Sequence, residues 1–346
     1  MSKLSRRDFI KLGGLSLGSL AFTPSITGQL GFEDSQMVRV ATESVSIYSK
    51  PDDQSKIVAT RYRDELVNIY EEVVAKTPES NPVWYRVWGG FMHRARLFKV
   101  KFLYNKILPV IEPEKPRLAE VTVPYTEPWR YTKTYGWERL NFRLYYGSVH
   151  WAEAIEPGPK GADWYRIYDD LTGYPYYINP THVRPFAPEE MAPITPEIPV
   201  EKKRIDVNLR TQTLVAYEYD KPVLTTKIAS GIPNGQAGAN GIPTRTPDGE
   251  FRILDKMPAK HMGNGNLFAD FTDYELPGVP WTLFFTDKGH AFHGTYWHEN
   301  FGAPMSRGCI NMHTHEAKWL FQWTLPKHDI NKTYNRGFGT LVQIHY

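Results

Sequence analysis

The pentapeptide Trp84-Tyr85-Arg86-Val87-Trp88 returns eighty residues later as Trp164-Tyr165-Arg166-Ile167-Tyr168. A repeat of that kind restricts the amino-terminal half to two copies of one small fold. A fainter correspondence lies upstream of each copy: Val45–Pro51 and Glu120–Pro128 both alternate as a strand does and then break at proline. The repeat unit is therefore about 60 to 70 residues long, too short for anything but a small single-core module. Each unit reads as several short strands rich in β-branched and aromatic residues, cut by turn signals such as Gly89-Gly90 and Pro157-Gly158-Pro159. Composition agrees, since 27 Pro and 26 Gly beside 17 Phe, 21 Tyr and 10 Trp in 346 residues favour short strands and turns over long helices. A mainly β chain is expected.

The two units, residues 37–104 and 118–187, resemble bacterial SH3-like barrels, a likeness carried by the Trp-Tyr-Arg strand. The resemblance implies modules that hold wall polymer or orient a neighbouring enzyme; spacers whose aromatics merely fill small cores are the other reading. Residues 188–200 follow, in a run from Ala187 to Val200 with four prolines in fourteen residues. It is expected to be extended and semi-rigid, a linker that sets the modules apart from a domain spanning 201–346. In that domain Arg204–Leu209, part of Thr213–Tyr219 and Val223–Ile228 read as hairpin strands, with further strands over Thr246–Ile253, Trp281–Phe285, Ala291–His293 and Gly339–Ile344. Only Thr314–Trp323 reads as helix, with Thr314 at its cap and Ala317, Leu320 and Phe321 on one face.

The formal charge of +3 lies wholly in the first 30 residues, through Lys3, Arg6, Arg7 and Lys11 against Asp8. The remainder sums to zero, and nothing suggests a nucleic-acid partner. The segment 1–30, with Ser5-Arg6-Arg7-Asp8-Phe9-Ile10-Lys11 before a glycine-spaced apolar stretch, closely resembles a twin-arginine export signal. Its apolar run is shorter than the roughly 20 residues a membrane span needs. Export by the twin-arginine machinery to the wall side of the membrane is expected, with a membrane anchor if the signal is retained.

The chain has one cysteine, Cys309, which excludes an internal disulfide and any thiolate-rich metal site. Upstream of Cys309, with fifteen residues between that include the turn Ser306-Arg307-Gly308, lies His293. The two form a nucleophile and base if the strand ending at His293 runs beside that turn. A free thiol has a pKa of about 8.5, and a neighbouring imidazolium favours the thiolate. Gly308 lets backbone N–H groups approach a developing oxyanion. By spacing alone, a lone cysteine packed in a core remains an equal alternative.

His293-Gly294-Thr295 followed by Ser306-Arg307-Gly308-Cys309-Ile310-Asn311-Met312, after Asp206-Val207-Asn208-Leu209 and Thr246-Pro247-Asp248-Gly249-Glu250-Phe251, resembles the L,D-transpeptidase (YkuD) catalytic domain over roughly residues 200–346. The resemblance implies a β-rich fold and a cysteine acyltransferase that makes 3→3 cross-links between peptidoglycan stem peptides. Carried over by position, Cys309 is the nucleophile and His293 its general base, oriented by the main chain at Gly294. Gly308 and Cys309 supply oxyanion N–H groups, while Ser306 and Asn311 shape the pocket. Many members have histidine where this chain has Arg307, a change that alters the pocket's charge and could pair with a substrate carboxylate. Carbapenems, as mimics of the donor carbonyl, are expected to acylate the thiol. No cofactor and no metal is implied.

A zinc hydrolase built on His298, His313 and His315 lacks a carboxylate or second cysteine to complete the ligand set. Tyr296, Trp297 and Phe301 read either as a lid over a peptide cleft, hinged at Gly294 and Gly302 with Tyr296 touching substrate, or as core filling. An L,D-carboxypeptidase using the same residues, or a wall-binding scaffold with a vestigial catalytic domain, are the alternative functions.

Overall fold

The computed structural model describes residues 36–112, 114–235, 243–263 and 275–346. The segment 1–30, read as a twin-arginine signal, lies outside them. Strands dominate, and the one α-helix among the described residues is Thr314–Trp323, so the chain is mainly β. No described helix is long and apolar enough to cross a membrane.

Both copies of the repeated pentapeptide form strands, Val83–Val87 and Asp163–Tyr168. Alternation turns Tyr85 and Tyr165 inward, each into a separate core. It turns the arginines outward, where Arg86 pairs with Glu71, and Arg166 with Glu153 and Glu156. The pairing around them differs between the copies. The first splits into a five-stranded and a three-stranded sheet; the second has a seven-stranded sheet and a two-stranded one.

The carboxy-terminal domain has two five-stranded sheets. One holds Lys221–Lys227, Thr213–Glu218, Lys203–Asn208, Leu341–His345 and Gly249–Arg252 in that order; the other holds Ile310–Met312, Ala291–Gly294, Glu275–Phe284, Asp255–Gly263 and Asn335–Arg336. The helix packs Ala317, Leu320, Phe321 and Trp323 into the core between them. Its cap differs from expectation. His313 occupies the cap position, and the Thr314 hydroxyl donates instead to Thr295 O at 2.8 Å, tying the helix start to the strand that ends at Gly294. The other end leaves carbonyls without helical partners. Two buried lysines satisfy them: Lys256 donates to Phe321 O and Thr324 O, and Lys203 to Trp323 O, placing positive charge where the helix dipole favours it.

The proline-rich run does not hold the modules apart. Met191 is buried in the carboxy-terminal domain's core with Ile194 against it, and Gln322 on the helix donates to Glu190 O and Ala192 O. The described residues pack as one compact unit. Arg39 donates to Asp64 at 3.1 Å and to Tyr296 O at 2.9 Å, and Arg143 of the second module reaches the other oxygen of Asp64 at 2.6 Å. At Gly278 (φ +71°), a Cβ would lie 2.2 Å from the His150 ring, so the strand Glu275–Phe284 meets the second module at a position only glycine can fill.

His261 clamps the same junction. Its Nδ1 faces Asp169 Oδ2 at 2.8 Å and its Nε2 faces Glu275 Oε2 at 2.7 Å. Burial alone would lower the imidazole pKa, but the Asp169 and Glu275 carboxylates outweigh it and raise it, while Asp169, although buried, is held below the ordinary carboxylate range by His261. The stabilisation from His261 is therefore full below the ordinary histidine pKa and fades as pH rises through the raised value. His261→Leu, which strands two carboxylates, is expected to cost about 3 kcal/mol. Thermal melts of the variant and wild type should differ most at pH 5.5 to 6 and converge towards pH 9, whereas a gap independent of pH would contradict a charged clamp.

Candidate active site

The strands Ala291–Gly294 and Ile310–Met312 run parallel, with Phe292 opposite Ile310, His293 opposite Asn311 and Gly294 opposite Met312. The pleat sends Phe292, Ile310 and Met312 into the core and gives His293 and Asn311 a common face, with Cys309 immediately before the second strand.

The turn before Cys309 is fixed from several sides. Gly308 has φ +113°, and a Cβ there would approach the His290 ring to 3.0 Å, so glycine is required by both backbone and space. Its carbonyl accepts from Thr246 Oγ1 at 2.8 Å, while its N–H donates to Ser306 Oγ at 3.2 Å, and that hydroxyl donates to Cys309 O. Ser306 thus ties the turn together from a buried position, and the Gly308 N–H expected at an oxyanion is engaged by it in this state. Arg307 is exposed on the turn.

The Cys309 thiol is half-buried and lies 3.7 Å from Gly289 O. Burial pushes it up to about 11, against the pull of the Ala291 N–H on the sulfur. His293 is buried, and burial pushes its imidazole down to about 4, with Gly294 O pulling the other way. Both charges are disfavoured by the same enclosure, which works against the thiolate–imidazolium pair expected from the sequence and favours a neutral thiol and a neutral imidazole.

His293 Nδ1 lies 2.9 Å from Gly294 O, the orienting contact expected, and its Nε2 lies 3.0 Å from Asn311 Nδ2. Trp297 stands over the imidazole with ring centroids 5.8 Å apart.

Tyr296 is not at the pocket surface. It is 1 % exposed, donates its hydroxyl to Pro277 O at 2.9 Å and packs against Phe98 and Val100 of the first module. The lid expectation fails for the same reason, because Phe301 is also buried and Gly302 lies so close to Ser80 O that a Cβ would reach it at 2.5 Å. The segment is a fixed wall clamped by the first module. The histidines weighed as metal ligands are otherwise engaged: His313 stacks on Phe301 at 3.9 Å and His298 bonds Asn311. Among the described residues no group of three His, Cys, Asp or Glu could hold a metal ion. His290, beside Gly308, carries no motif signal that sequence reasoning could have used.

Residues 202–344 match the family model of YkuD, the L,D-transpeptidase catalytic domain. The YkuD protein of Bacillus licheniformis, named for L,D-transpeptidase, is 34% identical over 114 residues, covering 33% of this chain and 55% of its own. The YqjB protein of Bacillus subtilis, named likewise, is 32% identical over 112 residues, covering 30% of this chain and 62% of its own. The chain thus spans little more than half the length of these curated relatives. The solved catalytic domain of the E. faecium L,D-transpeptidase is 26% identical and covers 42% of this chain and 98% of its own, with a TM-score of 0.30. Residues 202–344 are thus similar to L,D-transpeptidase catalytic domains. The matched residues contain both of these parallel strands, and the two modules lie outside them.

Proposed function

We propose that the chain is an exported cysteine acyltransferase that makes 3→3 cross-links between peptidoglycan stem peptides through a Cys309 acyl-enzyme, with His293 as general base. The observation that carries this reading is the parallel register that sets His293 beside Asn311, two residues after Cys309, within the residues that match the L,D-transpeptidase model. Cys309 Sγ attacks the carbonyl carbon of the donor stem's third residue as its proton passes to His293 Nε2. The C–N bond to D-alanine breaks, and the imidazolium returns the proton to the departing amine. The side-chain amine of a second stem's third residue then attacks the thioester. The C–S bond breaks, and the amine's surplus proton returns through His293 to the sulfur. For Gly308 N–H to stabilise the oxyanion, it exchanges Ser306 Oγ for the substrate oxygen. In this reading Arg307, exposed on the turn, pairs with a substrate carboxylate.

The amino-terminal modules, read as SH3-like, are proposed to hold wall polymer. The second carries on the outer face of its sheet Tyr131, Trp137 and Tyr177, whose rings pack edge to face at 5.3 and 4.8 Å. Mass spectrometry of muropeptides incubated with the protein tests the reaction. A 3→3 dimer is expected, and tripeptide alone would assign hydrolysis instead.

Export is proposed to follow the twin-arginine route. Replacing Arg6 and Arg7 together by lysine keeps the charge and removes the guanidinium pair. Cell fractionation should find the variant retained inside the membrane, and normal export of it would remove the targeting reading.

A further inference from the structure

The His293 imidazole ends a chain of hydrogen bonds whose direction is fixed from both ends. A main-chain N–H can only donate, so Asn300 N, at 3.1 Å, makes His298 Nδ1 an acceptor. His298 Nε2 must then carry the hydrogen, and it faces Asn311 Oδ1 at 3.0 Å. The amide of Asn311 is thereby turned so that Nδ2 donates to His293 Nε2 at 3.0 Å, leaving Nδ1–H to donate to Gly294 O at 2.9 Å. Both ends are backbone, and all three side chains are at most 2 % exposed, so water cannot substitute for a missing partner. A reversed Asn311 would present its carbonyl to His293 Nε2 and select the tautomer whose hydrogen sits there, which is not a base.

We propose that His298 is a positioning residue for the general base, holding Asn311 in the orientation that keeps a lone pair on His293 Nε2, and that the first module holds His298 in place. The proposal rests on the reading of Cys309 and His293 given above. The first module's part is visible in the bonds around the His298 loop. Asn81, 1 % exposed, donates to Glu299 O and to Asn300 Oδ1, both at 3.1 Å, while its own oxygen accepts from Arg94 Nε at 2.7 Å. Tyr85, the inward residue of the repeated pentapeptide, donates to Glu299 Oε2 at 2.8 Å, and Glu299 N donates to Ala95 O. The residue whose N–H starts the chain is therefore anchored to the module, and the sulfur, now 3.7 Å from Gly289 O, takes the place of Asn311 Nδ2 at His293 when substrate is attacked.

The charged and titratable groups around His298 are His293 and Arg96, which both oppose its protonation, and His313 across the Phe301 ring, while Arg94 and Glu299 are tied to Asn81 and Tyr85. Removing the His298 donor frees Asn311 to turn its carbonyl toward His293. That arrangement favours the imidazolium and raises the pH at which the base is lost.

The test uses the full chain and a carbapenem, with adduct formation followed by intact-protein mass spectrometry across pH. His298→Leu is expected to acylate about a hundredfold more slowly, the scale of a lost general base, with its acid limb moved up in pH. His298→Gln, which keeps a donor near the Nε2 position, should recover most of the rate, and Asn81→Ala should produce a smaller loss that does not add to that of His298→Leu. Nitrogen NMR of His293 reports the tautomer directly and separates it from a folding defect, which melting curves would show. Wild-type rates and an unmoved acid limb in folded His298→Leu would overturn the proposal while leaving the cysteine mechanism standing. Absence of any adduct on wild type would instead remove the mechanism itself.

Discussion

Cys309→Ala and His293→Ala are each expected to lower 3→3 dimer formation by about a thousandfold or more, and the double variant to be no worse than either alone. Nucleophile and base act as one unit, so removing the second after the first removes nothing further. The sulfur supplies the bond that carries the acyl group, and no other thiol exists in the chain to replace it. His293 holds the only imidazole on the shared face of the two parallel strands. Product analysis of the three variants, with melting curves to establish that each is folded, checks the prediction. Multiplying losses in the double variant would show that the two residues act independently.

Alkylation of Cys309 by a small neutral reagent is expected to accelerate about tenfold per pH unit from pH 7 to pH 10, because only the thiolate reacts and its fraction grows tenfold per unit below the thiol pKa. Burial pushes that pKa up to about 11 and the His293 imidazole down to about 4. An imidazolium-stabilised thiolate would instead give a rate flat through neutral pH. The same enclosure keeps His293 unprotonated through mildly acidic solution. The acid limb of kcat/KM should therefore fall well below the ordinary histidine pKa of about 6.5, with activity held between pH 7.5 and 5.5. Rates measured from pH 4 to 10 decide between the two resting states, and a plateau of alkylation at neutral pH would contradict the neutral pair.

The strands Lys203–Asn208 and Thr213–Glu218, and the helix Thr314–Trp323, were legible because each has one buried face and so carries its own period. Asp255–Gly263 was not, since Pro258 interrupts it and Lys256 looks like a surface residue. Its burial makes sense only once the carbonyls at the helix end are in place beside it. Cys309 and His293 could be paired because a strand and a turn suffice to bring them together. Tyr296 and Phe301 could not be assigned correctly. What covers them comes from a module about two hundred residues away in the chain, and local composition describes a buried wall and a mobile lid alike. The proline-rich run shows the same limit: its prolines set an extended backbone, but the buried Met191 decides that it lies against the domain. His298 carried a signal of the wrong kind. Its proximity to other histidines suggested a metal, whereas its partner is the amide of Asn311 on a neighbouring strand.

The account stands on an acyl group carried by one sulfur. Intact-protein mass spectrometry of the wild-type chain and Cys309→Ser after exposure to a carbapenem measures that directly. One adduct on the wild type and none on the serine variant is the predicted result. An adduct on both, or none on folded wild type, would contradict it.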